Sequence, residues 1–275
     1  MRQLIVALFG AVAMGVACAP GAFAADMPVK APLYTKAPAI IADPWTGFYL
    51  GASAGGRWNK DTWTTTDLAT PFFLTGRDNP HDFTKTSARF GLYGGYNWRI
   101  QQSWVVGLEA DVAWASNKTS SAGIPGLLGA FPQDDSVQVK DTWDGGVRGR
   151  VGYLITPTVL LFGTGGATWM RSQASITCSS AGFGAWCTGT NFTTGRTDSI
   201  SKTVAGWTVG GGLEAVVAPN WLLRGEYRYS RYAGYHATLL QGGAFGGGNF
   251  DVVDADIGSI RTQTVLVGLA YKFGQ

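Results

Sequence analysis

Along residues 262–273 apolar and polar positions alternate with a period of two. Val265, Val267, Leu269, Tyr271 and Phe273 share one parity; Thr264, Leu266, Gly268, Ala270 and Lys272 share the other. Such a period marks a β-strand with two unlike faces. The apolar face ends in two aromatics, two residues before the sequence stops. A membrane barrel has a use for that strand, which closes against the first strand, faces lipid and anchors aromatics at the interface.

Seven earlier segments repeat the pattern: 47–58, 88–98, 103–115, 142–154, 159–170, 204–217 and 221–232. The clearest is 103–115, where Trp104, Val106, Leu108, Ala110, Val112 and Trp114 form one face with tryptophan at both ends. In 159–170 the two faces are hard to separate. Eight segments of about ten residues match a small membrane barrel. The connections alternate in length. Those at 99–102, 155–158 and 218–220 are tight, and those at 59–87, 116–141, 171–203 and 233–261 are long. The pattern predicts an all-β fold: an eight-stranded antiparallel transmembrane β-barrel with short periplasmic turns and four long extracellular loops. A soluble sandwich has no reason to alternate its loop lengths so regularly.

Charges fall on the opposite parity from the apolar face. They are Arg89, Glu109, Asp111, Asp144, Arg148, Arg150, Glu214, Arg224, Glu226, Arg228 and Lys272. An arginine facing lipid at the bilayer midplane costs about 2–4 kcal/mol, so these side chains point into the lumen. Two arrangements are open: a solute channel lined with charge, or mutual salt bridges that hold a small barrel shut. Eight strands leave an interior just wide enough for side chains to fill, which favours the second.

Composition narrows the class. Charged residues are 14% of the chain, aromatics are 13%, and there are 11 Trp and 40 Gly, a mixture suited to all-β architecture. A net charge of +3 is too small for a surface that tracks phosphates, so nucleic acid is not an expected partner.

The first residues read as an export signal. Arg2 precedes an apolar run over 4–17, then Ala22-Phe23-Ala24, which sets cleavage between Ala24 and Ala25. The apolar run is short for a membrane anchor. Cys18 raises a lipoprotein alternative, but Gly15 stands where a lipid-attachment box wants a large aliphatic residue. The expected organisation is a signal peptide over 1–24, a proline-rich periplasmic leader over 25–44 and a barrel over 45–275. Export is expected to run through the Sec pathway.

Cys178 and Cys187 remain after cleavage, close together in the third long loop. In an oxidising compartment they are expected to form a disulfide; two thiolates without a nearby histidine make a poor zinc site. His81 and His236 are expected in the first and fourth long loops, outside any recognisable triad. The glycine runs at 242–243 and 246–248 lack the lysine and strand–loop–helix context of a phosphate cradle. No cofactor, metal or catalytic group is expected.

Several stretches carry a family resemblance: the leader Ala25-Asp26-Met27-Pro28, then Trp45-Thr46-Gly47-Phe48-Tyr49-Leu50-Gly51, Gly163-Thr164-Gly165-Gly166-Ala167, Gly206-Trp207-Thr208-Val209-Gly210, Leu223-Arg224-Gly225-Glu226-Tyr227-Arg228-Tyr229, and the ending Val267-Gly268-Leu269-Ala270-Tyr271-Lys272-Phe273. Together they resemble the small outer-membrane immunogenic and porin-family proteins of Gram-negative bacteria, within the wider OmpA/OmpX-like group. The resemblance implies an outer-membrane barrel with exposed loops, and roles in envelope integrity, surface recognition or limited solute passage. It brings no catalytic residues. This chain departs from the pattern where Gly274 and Gln275 follow Phe273, and in its two loop cysteines.

The expected partners are outer-membrane lipid and lipopolysaccharide, the barrel-assembly machinery during biogenesis, and host or cell-surface ligands reached through the loops. Three function classes compete: a structural surface protein with a lumen plugged by charged pairs, a small-solute porin, and a lipid-acting barrel enzyme. The last needs a serine and a histidine together at the lipid-facing rim, and neither histidine is expected there. Ligand binding by the loops, haem for example, stays open beside them.

Overall fold

The computed structural model describes residues 43–68, 80–125, 135–178, 196–241, 244–245, 248–249 and 253–274. The signal and leader assignments at 1–42 lie outside them, as does Cys187. Eight strands form the ring: β1 (Gly47–Leu68), β2 (His81–Arg99), β3 (Trp104–Ala122), β4 (Ser136–Thr156), β5 (Val159–Cys178), β6 (Arg196–Ala218), β7 (Trp221–Tyr232) and, last in the chain, β12 (Ile260–Phe273). Each pairs antiparallel with its neighbour, and β12 returns to pair with β1 from Phe48↔Phe273 to Lys60↔Arg261. Between β7 and β12 lie β8 (Tyr235–Leu239), the short β9 (Ala244–Phe245) and β10 (Gly248–Asn249), and β11 (Val253–Ile257).

The three tight turns join β2 to β3, β4 to β5 and β6 to β7. Asn220 turns the last with φ of 65°, a left-handed conformation that asparagine tolerates better than most residues. At this rim Trp45 is buried, and its indole donates to the Pro157 carbonyl at 2.9 Å.

Lipid defines the outer face. Leu50, Leu92, Leu108, Val151, Leu161, Leu213, Leu223 and Val267 are large, apolar and exposed, which water would not tolerate over so broad a surface. Aromatics bound this band. Near the turns Phe48 packs on Tyr96 (ring centroids 4.5 Å apart), Trp104 on Tyr153 (5.3 Å) and Trp221 on Tyr271 (5.3 Å). About ten residues further along the strands come Trp58, Trp114, Trp169 and Trp207, which is the strand length a bilayer requires.

The strands do not stop at the second girdle. Several expected long loops are largely strand: β1 runs to Leu68, β2 starts at His81, β4 starts at Ser136 and β5 ends at Cys178. Here the polarity of the faces inverts. Below the girdle apolar groups face out; above it Thr62, Thr64, Gln138 and Lys140 face out, while Trp63, Phe83, Val137, Val139, Ala174, Ile176 and Ile257 pack inside, fully or nearly fully buried. The physical cause is the change of outer solvent from hydrocarbon to water. The hairpin of β8 and β11 completes this upper storey, since β11 pairs with both β1 and β8. Among the described residues no ladder joins β8 to β6; the seam is bridged where Asp198 accepts the Leu240 N–H at 2.7 Å.

Candidate functional site: the charged interior

Strand parity sends every second side chain into the lumen. The inner column has three layers. The floor is apolar: Trp45, Val105, Leu160, Phe162 and Leu222. The ceiling is the apolar cluster of the upper storey. Between them lies a layer of charge.

Glu109 sits at its centre. It accepts Arg148 Nη2 at 2.6 Å and the Tyr49 hydroxyl at 2.8 Å, and pairs with Arg224 Nη1 at 2.7 Å. The first contact follows from register, since Glu109 lies directly opposite Arg148 across the β3–β4 ladder. Tyr49 can reach it because Gly95 has no side chain, and a Cβ there would stand 2.7 Å from the Tyr49 hydroxyl. Asp111 collects three guanidinium groups, Arg148 at 2.6 Å, Arg89 at 2.8 Å and Arg228 at 3.0 Å. Glu214 pairs with Arg150 and Arg224, both at 2.9 Å, the second being its cross-strand neighbour. Glu226 takes Arg228 at 3.1 Å. Asp144 takes Arg89 at 2.6 Å and Arg57 at 2.7 Å. Because Glu109 and Asp111 each hold arginines from distant strands, the two hairpin clusters join into one network.

Lys272 lies apart. Its ammonium donates to the carbonyls of Asp43 and Thr46 at 2.8 and 2.9 Å, at the turn end of the barrel. Among the described residues, four charged side chains that the sequence pattern did not single out join these ion pairs. Arg57 is one; the others form a small upper group in which Lys85 bridges Asp61 at 2.5 Å and Asp141 at 3.2 Å. Asn59 donates to the same Asp141 carboxylate at 2.8 Å. Among the described residues whose ion pairs build these clusters, seven cations (Arg57, Lys85, Arg89, Arg148, Arg150, Arg224, Arg228) face seven anions (Asp61, Glu109, Asp111, Asp141, Asp144, Glu214, Glu226). Balance of this kind is what a low-dielectric interior requires of charges that stay ionised.

Aromatic rings complete the packing. Arg150 stacks over Phe162 at 4.3 Å and Arg224 over Tyr93 at 4.4 Å, contacts that suit a weakly hydrated guanidinium. A void of about 10 Å³ beside Asp111, Arg224 and Glu226 has room for about one water.

The remaining candidates lie elsewhere. Cys178 ends β5, and its pairing with Cys187 falls outside the described residues. The histidines are on strands rather than in loops: His81 opens β2 against Phe83, and His236 lies on the outer face of β8. Asp256 and Asp254 lie 2.8 and 3.3 Å from the His236 ring nitrogens. Hydrogen bonding to Asp256 above all, with Asp254 adding to it, holds the imidazolium above its usual range. Among the described residues no group of three or more His, Cys, Asp or Glu side chains is placed to hold a metal ion.

A closed antiparallel ring with an apolar outer band, paired aromatic girdles and a charged interior defines a transmembrane β-barrel. Residues 9–273 match the family described as the outer membrane protein beta-barrel domain, and the chain belongs to that family and to the cell outer membrane. Among its relatives, the 31 kDa outer-membrane immunogenic protein of Brucella melitensis biotype 1 is 30% identical over 282 residues, covering 99% of this chain and 100% of the relative. The 22 kDa outer membrane protein of Rhizobium leguminosarum bv. viciae is 31% identical, over 72% of this chain and 69% of the relative. Among solved structures, Neisserial surface protein A aligns over 83% of this chain and 98% of its own, with 16% identity and a TM-score of 0.39.

Proposed function

We propose that the protein is a closed, non-conducting surface barrel that contributes to envelope integrity and presents its upper storey for recognition. The balanced network between an apolar floor and an apolar ceiling supports this most directly. A water-filled path would need a continuous polar column, and two apolar layers interrupt it. The upper storey then has a separate use. It extends the hydrogen-bonded ring beyond the membrane, where a scaffold can present recognition residues.

Planar-bilayer recording of the refolded chain tests this. The expected record is a quiet baseline with at most rare, brief events. Large, stable open steps in every insertion would make the protein a small-solute porin instead.

A further inference from the structure

We infer that the outer face of β7, β12 and β1, just above the second aromatic girdle, binds the phosphate groups of an outer-leaflet glycolipid of the lipid A type. The inference rests on the outer-membrane placement above and adds a site to it. Register sets Arg231 directly opposite Arg261, and Arg261 directly opposite Lys60. All three side chains are on the outer parity and exposed. Adjacent strands are about 4.8 Å apart, and like charges directly opposite each other repel. Such a row costs stability unless an anion sits on it.

The protein supplies little of that anion. Asp82 pairs with Lys60 at 2.8 Å, and the Arg231 guanidinium donates to the Ser259 hydroxyl at 3.3 Å. Arg261 has no ion pair or side-chain hydrogen bond among the described residues. Two guanidinium forks side by side match the geometry of phosphate oxygens.

Height and shape agree with a lipid. The row lies two residues beyond Trp58 on β1 and Tyr229 on β7, about 7 Å further along the strands, where headgroups meet water. Below it the Trp58 indole lies over Gly56, and beyond that ring the outer face of β1 offers only Ala52 and Ala54, between the taller Val267 and Leu269 of β12 and Phe90 and Leu92 of β2. The result is a shallow apolar trough along β1, running from Trp58 towards mid-bilayer. Its direction suits an acyl chain whose phosphate rests on the row.

Native mass spectrometry of the refolded full chain in detergent tests the site with three probes: diphosphoryl lipid A, the same lipid dephosphorylated, and inorganic phosphate. At about fivefold per cation, Arg261→Ser should weaken diphosphoryl lipid A binding about fivefold, and Lys60→Ser/Arg231→Ser/Arg261→Ser about a hundredfold. Lys118→Ser/Lys140→Ser, which removes the like-charged pair on β3 and β4, should change it far less. An equal loss in that control means the whole rim attracts anions and overturns the site. Equal binding of the dephosphorylated lipid overturns the phosphate assignment. Inorganic phosphate binding as tightly as lipid A overturns the lipid. Heat-modifiable gel mobility, run on every variant, separates these results from a failure of the barrel itself. A wild-type chain without it would overturn the membrane placement along with the site.

Discussion

Replacing Glu109 by alanine should lower stability by about 3–5 kcal/mol, the cost of leaving buried charge without its partner. Arg148 and Arg224 both lean on this carboxylate, and neither can move to water, because floor and ceiling close the layer. Arg148 keeps Asp111 and Arg224 keeps Glu214, which sets the lower end of the range. The double variant Glu109→Leu/Arg148→Met should recover much of the loss, since an apolar pair of similar volume often replaces a buried ion pair at little cost. Unfolding in urea, followed by the gel shift of the folded barrel, measures both. If Glu109→Ala is as stable as the wild type, the charges are hydrated independently and the interior is open to water. That result would favour a porin.

Trp63→Ala should cost a similar amount, about 3–5 kcal/mol, for a different reason. Trp63 is fully buried in the upper cluster, its indole donating to Thr65 at 3.1 Å. Removing it leaves a cavity among Phe83, Val139 and Ile257. The damage should stay local. The cluster lies above the second girdle, so the variant should still insert and still shift on gels. Amide exchange should quicken in 136–141 and 172–178 and stay slow in 145–153. Equal loosening of both regions would show that the two storeys unfold as one unit.

The difference between these sites explains what could be read from the sequence. Lipid tolerates no polar group on the outer face, so Val265, Val267 and Leu269 had to stand in an unbroken row, and the row is visible. Glu109 and Arg148 are visible for the same reason, because their strands have an apolar side to contrast with. Arg57 was hidden because the face opposite it is Ala54, Gly56 and Trp58, where the apolar signal is thin. Asp61, Lys85 and Asp141 lie where the polarity of the two faces changes over. Val137 and Val139 alternate with Gln138 and Lys140 as regularly as the membrane strands do, but with the sense reversed. Irregular pairing between Trp114 and Asn117 and between Asp141 and Asp144 breaks the phase just there. An alternation read without regard to which side is apolar would have extended β4 to Ser136. Lys272 shows the other limit. Parity gives the face a side chain takes and not its depth, and this one lies at the turn end beside Asp43.

The central structural claim is that the ring stays hydrogen-bonded and filled above the membrane. Hydrogen exchange of the wild-type chain in micelles tests it most directly, because amides in a closed ladder open rarely and loop amides open freely. Residues 61–65, 82–86, 136–141 and 172–177 should exchange orders of magnitude more slowly than unstructured peptide. Exchange of these segments at the rate of free peptide, with 48–57 and 264–272 still protected, would mean that the barrel ends at its second girdle and has no ceiling.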